Sequence, residues 1–144
     1  MSVRSLISAF TVGLLATVAF VAISANAADE QEATVKQLML GIVIPASDGV
    51  FGVASKAPKD DTEWEAIEAD AMVLAEAGRL LTQGTRPLDQ GDWVKHAREL
   101  VAASLEAAKY AKAKDVDKTV DAGNAVYDAC DSCHMKYMPD RVSR

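Results

Sequence analysis

Cys130-Asp131-Ser132-Cys133-His134 closes the last apolar-periodic stretch of this chain, and whether that stretch is helix or strand decides how the five residues act together. Val116, Val120, Gly123, Tyr127 and Cys130 recur at steps of three and four, the stripe of an amphipathic helix. In a helix the two thiols stand at i and i+3 with the imidazole one residue further, so all three lie on one side. Cys-x-x-Cys-His in this order is the signal for covalent haem attachment: two thioethers hold the porphyrin edge while His134 reaches the iron. A thioredoxin-like couple would want a βαβ setting, and nothing around Cys130 alternates as a strand does. A zinc site would have to be completed from Cys130, Cys133, His96 and His134, and a disulfide so short along a helix would be strained.

At the other end, Arg4, the apolar run Leu6 to Ile23 and the small-x-small triplet Ala25-Asn26-Ala27 have the form of a secretory signal peptide over residues 1–27. An uncleaved anchor is the competing reading, since the run approaches spanning length. The polar Asp29-Glu30-Gln31-Glu32 that follows favours cleavage before Ala28, leaving residues 28–144 as one domain in the bacterial periplasm, with no stable membrane insertion. Such export agrees with haem attachment, which takes place outside the cytoplasm. The full chain has a formal net charge of −6, and loss of Arg4 makes the remainder −7. That surface repels nucleic acid and suits a partner with a basic patch, although the same charge also serves plain solubility.

Between these ends the composition is rich in Ala, Leu, Val, Glu, Lys and Asp, aromatic residues are few (6% of the full chain), and there is no alternating run long enough for a sheet. Turn signals at 54–61, 84–91 and 113–115 divide it into four segments, so an all-α, antiparallel up-down four-helix bundle is expected, with haem near the C-terminus of the last helix. The first helix should run from about Glu32 to Val53 with an inner stripe of Leu38 or Met39, Ile42, Ala46, Gly49 or Val50, and Val53. Pro45 should kink or break it. The second should open on a Thr62–Glu65 capping box and bury Trp64, Ile67, Ala71, Leu74, Gly78 and Leu81. Small Ala71 and Gly78 would admit another helix or a flat porphyrin. The third, from Asp89–Asp92 to Ala113, should face inward through Trp93, Ala97, Leu100, Ser104, Ala107 or Ala108, and Ala111. The fourth takes Asp115 as its cap and ends at Met138-Pro139-Asp140, before a loose tail at Val142–Arg144.

Four helices, an export signal and a single Cys-x-x-Cys-His close to the C-terminus resemble the class II c-type cytochromes, the cytochrome c′ group and its low-spin relatives. The likeness covers residues 28–144 in architecture, and its specific motif is Cys130, Cys133, His134 and the aromatic Tyr137. Met138 stands where members often carry a basic residue, and Lys36 where an arginine is frequent, so gas-sensing chemistry tied to the former is not implied. The resemblance implies one heme c, with Cys130 and Cys133 as thioether anchors and His134 as proximal iron ligand. The distal ligand in low-spin members is a methionine early in the first helix, and Met39 lies at the matching place. Leu38 or Leu40 could face the haem instead, with Met39 as core filler.

The chain holds other residues that could approach the iron. Met72 is a second thioether, off the main stripe. His96, between Lys95 and Arg98, reads as a boundary histidine, and Met135 and Met138 are too near His134 to reach the opposite haem face. Trp64 and Trp93 read as core packing, while Lys109, Lys112 and Lys114 read as a solvated helix end with docking as the rival. The expected protein is a periplasmic monohaem electron carrier, not an enzyme, serving periplasmic redox partners and able to form a homodimer through its first two helices. A five-coordinate binder of nitric oxide or carbon monoxide is the alternative. Peroxide reduction is disfavoured because no acid or base is evident around Met39.

Overall fold

The computed structural model describes residues 32–138, and the expected signal peptide, its cleavage point and the tail at 142–144 lie outside the described residues. Thr34 opens the first helix: its hydroxyl accepts from the Gln37 N–H at 3.2 Å and the Gln37 side chain accepts from the Thr34 N–H at 2.9 Å. This is a reciprocal capping box with Gln in the Glu position. Helix α1, residues 35–52, is continuous but not uniform: Val35–Leu38 is α-helical, Met39–Val43 is a π turn, and Ile44–Gly52 is α-helical again. The break expected at Pro45 takes this form. Proline has no N–H for the Gly41 carbonyl, and its ring would press on that carbonyl in an α-helix. The preceding turn widens instead, and the Ile44 N–H bonds back five residues to Met39.

Helix α2 is Asp61–Leu80, and its cap is Asp60 rather than Thr62. The Asp60 carboxylate accepts from the Glu63 N–H at 2.9 Å, and Glu63 reaches back to the Lys59 N–H at 2.8 Å. The cap therefore lies two residues upstream of the expected Thr62–Glu65 box. A charged acceptor facing the positive end of the helix wins over a hydroxyl. Gly84, at φ +60°, turns the chain after α2 in the left-handed region that glycine enters without strain. Helix α3 is Asp92–Lys112, and helix α4 is Val116–Tyr137, capped as expected by Asp115 through the Lys118 N–H at 3.1 Å.

The inner face of α3 is as the spacing predicts: Trp93, Ala97, Leu100, Ser104, Ala107, Ala108 and Ala111 are all buried. From α2 come Trp64, Ala71, Leu74, Ala75, Ala77 and Gly78. A Cβ on Gly78 would fall 2.7 Å from Val101 Cγ2 and 3.1 Å from the Ala97 carbonyl, so this glycine serves the close crossing of α2 and α3. The stripe expected on α4 is corrected. Thr119, Ala122, Gly123, Val126 and Ala129 are buried, while Tyr127 is 58% exposed and Val116, Val120 and Cys130 are half-buried. The alanine face of α3 leaves room for small side chains opposite, and the Tyr127 ring is turned out to meet Phe51 edge-on at 6.4 Å.

The helix ends are tied together. Lys114, just after α3, pairs with Asp61 at the start of α2 at 2.8 Å, and the Trp93 indole N–H donates to the Leu81 carbonyl at 2.8 Å. Lys136 in the last turn of α4 pairs with Asp92 at the start of α3. The described residues thus form an all-helical bundle in which α3 packs extensively against α2 and α4, and α1 lies against α2 and, less fully, α4. Among the described residues there is no strand, and no helix is long and apolar enough to cross a membrane.

Candidate functional site

Cys130, Cys133 and His134 all lie near the C-terminal end of α4, as the spacing requires. Beside them opens a cavity of about 220 Å³ lined by Val35, Met39, Leu81, Leu88, Trp93, Cys133, His134, Tyr137 and Met138. Met39 and Val35 bring the first turns of α1 to this cavity, and Cys133, His134 and Tyr137 bring the end of α4. Cys130 does not line it; the side chain is half-buried and packs on the core.

Short-range chemistry holds the walls in place. Asp89, ahead of α3, accepts from the Gly91 N–H at 2.8 Å and the Trp93 N–H at 3.1 Å, and it also accepts from the Tyr137 hydroxyl. The Trp93 and Tyr137 rings meet edge-to-face at 5.0 Å, so one carboxylate fixes the aromatic corner of the cavity. Arg86, in the same loop, donates to the Ala33 carbonyl at 2.9 Å and to the Leu80 carbonyl at 3.0 Å. That guanidinium anchors the chain entering α1, and with it the placement of Val35 and Met39. None of these links was predicted. Asp89 and Tyr137 are 48 residues apart, and only the position of Asp89 shortly before a helix hinted at a role.

Burial, with a smaller contribution from neighbouring Cys133, pushes the Cys130 thiol up to about 11, and burial also raises Cys133. Nucleophilic redox cysteines are tuned the other way, towards thiolate. Burial, then the bond to Asp89, lifts the Tyr137 phenol to about 12, so it remains a hydrogen-bond donor. Among the described residues no three His, Cys, Asp or Glu side chains gather as a metal-binding group.

The remaining candidates fall outside the cavity, apart from Met138, which lines it beside His134. Leu38 is buried in the core, Leu40 is 59% exposed, and Met72 and Met135 are exposed. His96 is half-buried with Nδ1 3.0 Å from Glu99 Oε2. Trp64 is core, and Lys109, Lys112 and Lys114 pair with Glu106, Glu68 and Asp61. No family model, curated protein or solved structure matches the chain.

Proposed function

We propose that this chain is an exported monohaem c-type cytochrome that carries single electrons between periplasmic redox partners, without catalytic turnover of its own. The observation that carries the reading is the apolar cavity shared by Cys133 and His134 of the attachment motif on one side and Met39 on another. The donor set fits a haem: two thiols in attachment order, an imidazole one residue on, and a thioether across an aromatic and aliphatic lining. A porphyrin is bulkier than about 220 Å³, and Leu88 in the lining is 70% exposed. Bound there, haem supplies a reversible one-electron iron couple.

The chain's own residues do the rest. Cys130 and Cys133 would anchor the group, and His134 would hold one face of the iron. Met39 would offer a neutral sulfur suited to both oxidation states, keeping ligation nearly unchanged on electron transfer. Trp93, Leu81 and Tyr137, which line the cavity, would help keep water from a group bound there. The antiparallel up-down order belongs to the same proposal, supported by the ties of α2's start to α3's end and of α3's start to α4's end. A homodimer through α1 and α2 also belongs to it, supported by exposed Ile44, Met72 and Val73.

The test is the visible spectrum of haem-matured protein, oxidised and reduced, beside Met39→Ala. Sharp low-spin bands with a sulfur-to-iron band at the red edge, lost in the variant, are expected. High-spin spectra unchanged by Met39→Ala, with carbon monoxide binding to reduced wild type, would replace the electron carrier by a five-coordinate ligand binder.

A further inference from the structure

The π turn of α1 governs which side chain meets the cavity. In an α-helix the Ile44 N–H would bond four residues back, to Leu40; here it bonds five back, to Met39. The additional residue is taken up on the outside, where Leu40 is 59% exposed and a Cβ on Gly41 would have no atom within 4 Å. Beyond the turn, Ala46, Val50 and Val53 are buried and fix the rotation of the helix. Were the turn to become α-helical with that part held, residues ahead of it would rotate by roughly 100°, one residue's step. Leu40 would then stand where Met39 stands.

Leucine has no atom that can ligate iron, whereas the Met39 sulfur can. We propose that Pro45, by holding the preceding turn in its π form, is a positioning residue that selects Met39 over Leu40 for the cavity and thereby sets the sixth ligand of a bound haem iron. This inference rests on the reading of Met39 as distal ligand. Pro45 does not itself line the cavity, and it acts through the backbone: no N–H to offer Gly41, and a ring that keeps the α turn from closing. Widened turns of this kind tend to occur where a side chain must be aimed.

The experiment compares four haem-loaded proteins: wild type, Met39→Ala, Pro45→Ala, and Pro45→Ala combined with Leu40→Met. Pro45→Ala restores the donor for Gly41 and should lose the sulfur-to-iron band, turn high-spin and bind carbon monoxide when reduced. Adding Leu40→Met should bring back a thioether and the low-spin spectrum. That rescue excludes mere unfolding as the cause. Retention of the wild-type band in Pro45→Ala, or its loss without recovery in the double variant, overturns the role of Pro45 even when Met39→Ala behaves as a ligand variant should. A Met39→Ala protein that keeps the wild-type band overturns the ligand reading itself.

Discussion

Ser104 lies in the middle of α3 with no exposed surface, and among the described residues its hydroxyl has no hydrogen-bond partner. An unpaired buried hydroxyl costs about 1–3 kcal/mol, so Ser104→Ala should stabilise the protein by about 1 kcal/mol. A higher urea midpoint at unchanged slope would show it; a lower midpoint would mean that the hydroxyl is paired after all. Asp70 on α2 poses a pH-dependent version of the same problem. It is half-buried against Gly49, whose added Cβ would fall 1.9 Å from its Oδ2, and burial raises its carboxyl above the usual range. The folded state therefore binds this proton more tightly than the unfolded state, and stability is lost as pH rises through the raised value. Asp70→Asn should be more stable than wild type at neutral pH, with the difference closing in acid; melting curves across pH test the sign. Residues differ in how openly they declare themselves. Cys130, Cys133 and His134 are legible because five consecutive residues carry the whole pattern. Met39 needed a family likeness to be singled out from Leu38 and Leu40, because helical spacing alone permits any of the three. Asp89 was legible only as a residue near a helix start, since its bond to Tyr137 lies with a hydroxyl from the far end of the chain.

Among the elements, α2 and α3 show most directly how sequence becomes packing. Helix propensity alone predicts that Gly78→Ala gains about 1 kcal/mol. The structure predicts a loss, because the new methyl would sit 2.7 Å from Val101 Cγ2 and 3.1 Å from the Ala97 carbonyl. Overpacking of that kind costs about 1–3 kcal/mol and should outweigh the propensity gain. Removing the Val101 branch should recover much of the loss, so a double-mutant cycle of Gly78→Ala with Val101→Ala should show strong positive coupling. Additive effects would mean that the helices cross further apart. The inner face of α3 could be foreseen because its alanines and Trp93 keep a clean helical period. The face of α4 could not, because Val116, Val120 and Tyr127 form an equally regular stripe that is more apolar than the one buried. Space decided between them: an alanine-lined neighbour accepts Ala122 and Val126 but leaves no room for a tyrosine ring. The start of α2 failed for a different reason, two overlapping cap signals, of which the carboxylate prevailed.

At the scale of the whole molecule, the packing is uneven, and the uneven part is where a cofactor would lie. Helix α3 is clasped by α2 and α4, whereas α1 leans on α2 and touches α4 less, with the cavity between its first turns and the end of α4. The four-segment plan was readable from turn signals, but this looseness was not, because it depends on how much interior the side chains fail to fill. Helix α1 contributes Val35 and Met39 to the cavity wall, so without a group to pack against they lose contacts that the rest of the bundle keeps. On the proposed reading, the haem-free chain, obtained as Cys130→Ala with Cys133→Ala, should therefore open locally at α1 before it unfolds globally. Hydrogen exchange followed by mass spectrometry should find residues 35–44 exchanging faster than the centre of α3 in that variant. In the haem-loaded protein those residues should slow by the largest factor in the chain, since a ligand that binds only the closed arrangement stabilises it by mass action. Protection spread evenly over all four helices would instead mean that the bundle closes as a single cooperative unit, and the cavity would then be a gap in a rigid frame rather than the seam along which α1 is held.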